Sequence, residues 1–156
     1  MIVVADATPI HYLVLIGEAD VLRALYGRVL IPSSVRNELL HSHAPPVVRD
    51  WIAHAPAWLD IRAPLPAADP VLARLDAGER DAIVLAEELS ADLLVIDELK
   101  GRRVAEDRGL AVIGTLGVLR DAASLGLIRL SSTLERLGKT SFHLSPGLLD
   151  RFHREE

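Results

Sequence analysis

The chain has 156 residues, half of them apolar, with no cysteine and a formal net charge of −5 at pH 7. That length fits one domain with its own core, burying on the order of two-thirds of the unfolded surface. The missing cysteines exclude a disulfide scaffold, a thiolate zinc site and a cysteine nucleophile, and the acidic balance argues against a dedicated nucleic-acid coat protein without excluding an acidic centre neutralised by bound metal.

Ile2 to Ala5 is a short apolar run rich in β-branched residues, which predicts a buried strand ending at Asp6. Thr8 and Pro9 open a helix through about Ile16, Pro being tolerated in a first turn, and Gly17 ends it. Asp6 and His11 break the apolar stretch and no basic segment precedes it, so neither a signal peptide nor a membrane span is expected, and the protein reads as soluble and cytoplasmic. Glu18 to Tyr26 has helical spacing at Val21, Leu22 and Leu25, with Gly27 as a stop. Val29 to Ile31 is a second strand, followed by a helix from Pro32 to about His41 in which Glu38 lies beside the apolar face of Val35, Leu39 and Leu40. Pro45 and Pro46 break the chain before a helix over Val47 to Ala55, and Trp58 to Ile61 reads as an edge strand.

The proline- and alanine-rich stretch Ala63 to Pro70 is a loop. Asp76 then caps a helix running to about Leu89, with Glu79 reaching back in a variant of the capping box. Leu93 to Ile96 is the strongest strand and ends at Asp97; a polar helix from Lys100 to Arg108, a strand at Ala111 to Ile113 and a helix from Thr115 to Ser124 follow. Two more helices are expected in the tail, Thr133 to Leu137 and Pro146 to His153. Strands without polar alternation are buried on both faces, and the helices between them imply right-handed crossovers and a parallel sheet. The expected architecture is a three-layer α/β/α sandwich with a central parallel sheet of about four to five strands. It forms a single domain over residues 1–156, a core of about 1–128 with a helical extension over 129–156.

In open α/β sheets the site lies beyond the carboxyl ends of the strands, and Asp6 and Asp97 occupy two such ends. An unpaired charge there does not serve packing. Each also suits a plain helix cap, Asp6 for the helix after it and Asp97 for the Lys100 helix. If the two strands are neighbours, the aspartates come within about 5 Å and can share a hard divalent cation. Glu38 and Asp81 begin helices on the same edge, although each taken alone reads as a solvated helix residue.

Four segments resemble, in order, the motifs of PIN domains: VVADATPIHYL, VLIPSSVRNELL, AGERDAIVLAEEL and LLVIDELKGRRVAEDRGLAVIGTLGVL, covering about residues 2 to 128. The GTLGVL and KGRR pieces look most like a VapC-related subgroup of small prokaryotic PIN proteins. The resemblance implies a metal-dependent endoribonuclease, many of its relatives being toxins of toxin–antitoxin pairs. It maps Asp6, Glu38, Asp81 and Asp97 onto acids that bind Mg²⁺ or Mn²⁺. Glu79 stands two residues before Asp81 and either shares its place, replaces it or only caps; Glu98 is an auxiliary acid. Thr8 either hydrogen-bonds Asp6 or a scissile phosphate, or helps start its helix. Lys100, Arg102 and Arg103 are candidates to contact RNA phosphates or simply form a solvated basic face. Hydrolysis is expected by in-line attack of an activated water, leaving a 5′-phosphate and a 3′-hydroxyl. A homodimer and a small antitoxin partner are further implications, with no membrane partner.

Two other readings compete. One is a catalytically silent PIN-like binding or assembly module; the other is an acid-based phosphotransfer protein, for which a dehalogenase-type phosphatase would place a second Asp where Thr8 stands. His11, and the pair His41 and His43, read as packing and loop residues, since residues two apart do not share a helix face. No G-x-G-x-x-G follows a strand, so a dinucleotide fold is unsupported.

Overall fold

The strands are short and apolar, and their side chains alternate between two cores. In the computed structural model, which describes residues 1–66 and 68–144, β1 (Val3–Ala5), β2 (Val29–Pro32), β3 (Leu59–Arg62), β4 (Leu93–Val95) and β5 (Val112–Ile113) form one sheet. Its order is β3-β2-β1-β4-β5. All pairs are parallel, with Val4 opposite Leu30, Ala5 opposite Val95 and Leu94 opposite Val112. Val3, Ala5, Val29, Ile31 and Val95 point into one apolar cluster, whereas Val4, Leu30, Leu94 and Ile96 point into the other. This two-residue period is that of a strand covered on both faces.

Helices complete each cluster. On the first face lie α1 (Ala7–Leu15), α2 (Asp20–Tyr26), α3 (Ser33–Leu39), α4 (Pro46–Ala53), α7 (Thr115–Ser124) and α8 (Leu130–Gly138). On the second lie α5 (Ala77–Glu88) and α6 (Leu99–Asp107). The fold is therefore the expected three-layer α/β/α sandwich. Gly27 and Gly126 end α2 and α7 at φ 77° and 74°, a left-handed turn that glycine adopts without a Cβ clash. A short 3-10 turn at Leu72–Arg74 precedes α5, where no element was expected. The helix expected over Pro146–His153 lies outside the described residues.

The sheet grows from β1 through β2 to β3 in one direction, and from β4 to β5 in the other. The reversal leaves a crevice between the carboxyl ends of β1 and β4, where ligands bind in folds of this kind. No helix among the described residues is long and apolar enough to cross a membrane.

Helix α8 is longer than the sequence suggests and is built into the first core rather than appended to it. Leu130, Leu134 and Leu137 are buried, and the Arg136 guanidinium donates to Ile16 O and to Glu18 Oε1. Leu137→Ala is therefore expected to lower stability by about 2–5 kcal/mol. Leu125→Ala, at a position 67% exposed, should stay within about 0.5 kcal/mol. Urea unfolding of the two variants checks this; equal, small effects would mean that α8 is not part of the core.

Candidate active site

The backbone brings Asp6 to the crevice. Its N–H donates to Val95 O at 2.9 Å, extending the β1–β4 pairing by one residue. Its carboxylate is then carried under α1 and is only 4% exposed. Asp6 occupies the N-cap position of α1, yet its side chain makes no capping hydrogen bond there. Burial pushes its carboxyl up to about 7; the Ala7 N–H opposes the shift, and the charges of Asp76, Glu38 and Asp97 add to it.

Asp97 follows β4 by two residues and is held from across the crevice. Its Oδ1 accepts the Thr115 N–H at 2.8 Å and its Oδ2 accepts the Thr115 hydroxyl at 2.6 Å. Thr115 opens α7 and is fully buried. Asp97 thus serves the first turn of α7, while the N-cap position of α6 belongs to Glu98. Burial raises the Asp97 carboxyl, opposed by the two Thr115 bonds and by the charge of Arg102.

The remaining acids come from α3 and the start of α5. Glu38 stands in the last turn of α3, its carboxyl raised by burial and by the charge of Asp76. Asp76 caps α5, accepting the Glu79 N–H at 2.9 Å. The return half of the expected capping box is replaced by a different contact. The Glu79 carboxyl is buried and hydrogen-bonds the Asp76 carboxylate. Burial is the main cause that pushes Glu79 up to about 8, followed by that bond and by the charges of Asp76, Asp6 and Glu98.

Asp81 points elsewhere. Two residues along a helix turn the side chain through about 200°, and the Asp81 carboxylate accepts Arg80 Nε at 3.0 Å. It lines a separate cleft with Ser33, Arg80 and the loop around Leu65. Of the two acids in this segment, Glu79 feels the charge of Asp6, whereas Asp81 is paired with Arg80. Asp76, read from the sequence only as a cap, stands among the acids as well.

Three glycines make room for these carboxylates. A Cβ on Gly78 would lie 3.1 Å from both Asp6 Oδ1 and Glu38 Oε2. One on Gly101 would meet Glu79 Oε2 at 2.8 Å, and one on Gly114 would meet both Asp97 Oδ1 and Arg102 Nη1 at 2.7 Å. Asp6 and Glu38 therefore converge on one small space over the first turn of α5.

The donor set is all carboxylate oxygen, which suits a hard divalent cation that keeps part of its water shell. Among the described residues, no three of these side chains stand close enough to hold an ion together. The fit is that of an open site, with the Asp6–Glu38 pair as its first candidate ligands and Asp97 flanking.

The other predicted residues are spread around this centre. Glu98 is exposed and acts on the site only through its charge on Glu79. Thr8 sits in the first turn of α1, and no hydrogen bond from its hydroxyl to Asp6 is formed among the described residues. Lys100 Nζ is exposed and donates to Arg74 O at 3.0 Å, and Arg103 is exposed. Arg102 is the basic residue that reaches Asp97, and with it lines a cleft of about 470 Å³. Arg120, Phe142 and His143 complete that cleft, and none of the three carried a signal in the sequence.

The raised carboxyls fix the pH dependence of the metal-free fold. Asp6 near 7 and Glu79 near 8 bind protons more tightly folded than unfolded. Their contribution to stability is therefore fully present below the ordinary carboxylate range and is lost as pH rises from about 4 through about 8. The melting temperature in EDTA is expected to drop by roughly 5 °C or more between pH 5.5 and pH 8, and Mg²⁺ or Mn²⁺ at pH 8 should restore it. Asp6→Asn should flatten both responses. A melting temperature independent of pH and of metal would show that the acids do not repel one another in the folded state.

The family profile described as a PIN domain matches residues 2–155, so the match runs past the motifs into the tail. No curated protein and no solved structure matches the chain. PIN domains are generally nucleases and typically use divalent metal ions. With its doubly wound parallel sheet, its strand-terminal aspartates and a profile match over nearly its whole length, the chain belongs to the PIN-domain family.

Proposed function

We propose that the protein is a divalent-metal-dependent endoribonuclease that hydrolyses RNA phosphodiester bonds, leaving a 5′-phosphate and a 3′-hydroxyl. The convergence of Asp6 and Glu38 on the space left by Gly78 carries this reading. Like charges in so small a space are unfavourable without a counter-ion, and the arrangement makes chemical sense as a receptor for Mg²⁺ or Mn²⁺. When bound, such a cation neutralises phosphate charge and makes a water a better nucleophile.

The side chains divide the remaining work. Asp6, Glu38 and Asp97 are the proposed ligands, directly or through water. Thr115 occupies one lone pair on each Asp97 oxygen and so fixes the carboxylate plane before anything binds. The Glu79 carboxyl, pushed up to about 8 chiefly by burial, limits the negative charge beside an incoming phosphate. Glu79 takes the role that the motif resemblance gave to Asp81. Arg102 stands next to Asp97 and offers the nearest guanidinium to the phosphate.

The likeness of the KGRR and GTLGVL segments to VapC-related proteins extends the proposal. In this reading the protein is a cytoplasmic toxin, works as a homodimer and is restrained by a small antitoxin. A catalytically silent module would have no use for a carboxylate buried at such cost, and the same assay tests it.

Labelled single-stranded RNA and tRNA, incubated with Mn²⁺ or Mg²⁺, should be cut by wild type and spared in EDTA. Asp6→Asn and Asp97→Asn should each reduce kcat by at least about a hundredfold, the scale of losing one charge-stabilising contact. Glu79→Gln should cost more than Asp81→Asn, which should stay within about threefold of wild type given its distance from the reacting groups. Equal losses in those two would restore Asp81 to the centre, and no cutting under any condition would leave the silent module. Thr115→Val should lower activity by roughly 10–100-fold while leaving the fold intact, as for a residue that orients a ligand.

A further inference from the structure

The carboxylates explain how a phosphate would be hydrolysed but repel the nucleic acid that carries it. The cleft beside Asp97 supplies the opposite character. It opens at Asp97 and Gly114, and Arg102, Arg120 and His143 line it. His143 comes from the C-terminal segment after α8, far in sequence from the four motifs.

That segment is pinned rather than merely adjacent. Tyr12 Oη and Ser141 Oγ are 2.7 Å apart, and the Tyr12 and Phe142 rings meet edge to face at 5.0 Å. The Phe142 N–H donates to Thr140 Oγ1 at 3.1 Å. Phe142 and Leu144 pack against the first core, while His143 between them is exposed. The alternation is that of an extended chain with one face seated, and it presents the imidazole to the Asp97 cleft.

We infer that His143 is a substrate-contacting residue that binds a phosphate of the RNA strand next to the scissile one, on the Asp97 side and together with Arg102. The inference rests on the nuclease reading above. An imidazole keeps an N–H donor in both protonation states, so it can hold a phosphodiester without requiring a charge. Arg102 supplies the charge and the bidentate geometry. The C-terminal segment then serves the site, and α8 with its Arg136 tether positions that segment.

The test compares wild type, His143→Ala and His143→Arg in binding and in cleavage. Binding of a labelled single-stranded RNA oligonucleotide is measured in EDTA, where no chemistry occurs, and cleavage is measured with Mn²⁺. His143→Ala is expected to raise both Kd and KM about tenfold, the scale of one hydrogen bond to a charged group, with kcat within about twofold. His143→Arg should restore both, and melting temperatures should not differ, since the side chain is exposed. Tyr12→Phe, which removes the contact to Ser141, should reproduce part of the KM rise and add nothing in the His143→Ala background. Wild-type cleavage with unchanged Kd and KM in His143→Ala, or a loss in kcat alone, overturns the assignment of His143 while leaving the nuclease standing. Absence of both binding and cleavage in wild type overturns the nuclease and this inference with it.

Discussion

Asp6 carries a carboxylate into a place that water barely reaches, and its nearest ionic neighbours have the same sign. Burial of a charge is tolerable when an opposite charge or a set of hydrogen bonds meets it. Here the Ala7 N–H gives partial relief, and Glu38, Asp76 and Asp97 make matters worse. Two remedies are available, a proton or a cation. A carboxyl pushed up to about 7 sits at the balance between them under ordinary conditions. On the proposed metal-dependent reading, metal and protons compete for the same oxygens, and affinity for the cation rises with pH over the range in which the metal-free site loses stability.

The surrounding elements accommodate this unfavourable cluster by omission as well as by contact. At Gly78, Gly101 and Gly114 the missing Cβ is the space a carboxylate oxygen uses. Gly78 and Gly101 are buried within helices, where glycine costs about 1 kcal/mol relative to alanine. That cost follows from the site, since at Gly101 and Gly114 a methyl group would come closer than 3 Å to a carboxylate oxygen. Thr115 works in the other sense. It adds two hydrogen bonds to Asp97 and holds that residue at the mouth of the crevice, where burial alone would favour its protonation.

The layers and the sheet were legible in the sequence because strand and helix periods differ and the strands carry little polar alternation. The same reasoning placed Asp6 and Asp97 just past strand ends and Glu38 in the helix after β2, where the structure has them. It left a choice open where the answer depended on rotation about a helix whose packing was unknown. Glu79 and Asp81 both look like first-turn acids of α5, and it is the burial of Glu79 and its approach to Gly101 that show which one faces inward. The capping motif compounded the difficulty, because Asp76 does cap Glu79 as the pattern says, and a satisfied local explanation hid a second role. Thr115 and His143 were beyond reach for a different reason. The roles proposed for them rest on a contact with a residue 18 positions away, in one case, and on a cleft that the chain after α8 helps to line, in the other.

Net charge misleads for this chain in a way the geometry explains. The formal −5 is an average, whereas the acids of the candidate site are gathered at one crevice, where burial pushes the Asp6 and Glu79 carboxyls up to about 7 and about 8. What an incoming polyanion meets depends on its direction of approach. From the Glu38 and Glu79 side it meets carboxyls, and from the Arg102 and His143 side it meets donors. Asp97 belongs to both sides, clamped by α7, close to the guanidinium of Arg102 and within the reach of Asp6's field. A lysine at position 102 would supply the same charge but not the planar fork that approaches Asp97 past the bare Cα of Gly114. The identity of that side chain, the glycine opposite it and the threonine behind Asp97 therefore act as one unit, joining the acidic centre to the surface proposed to hold the substrate.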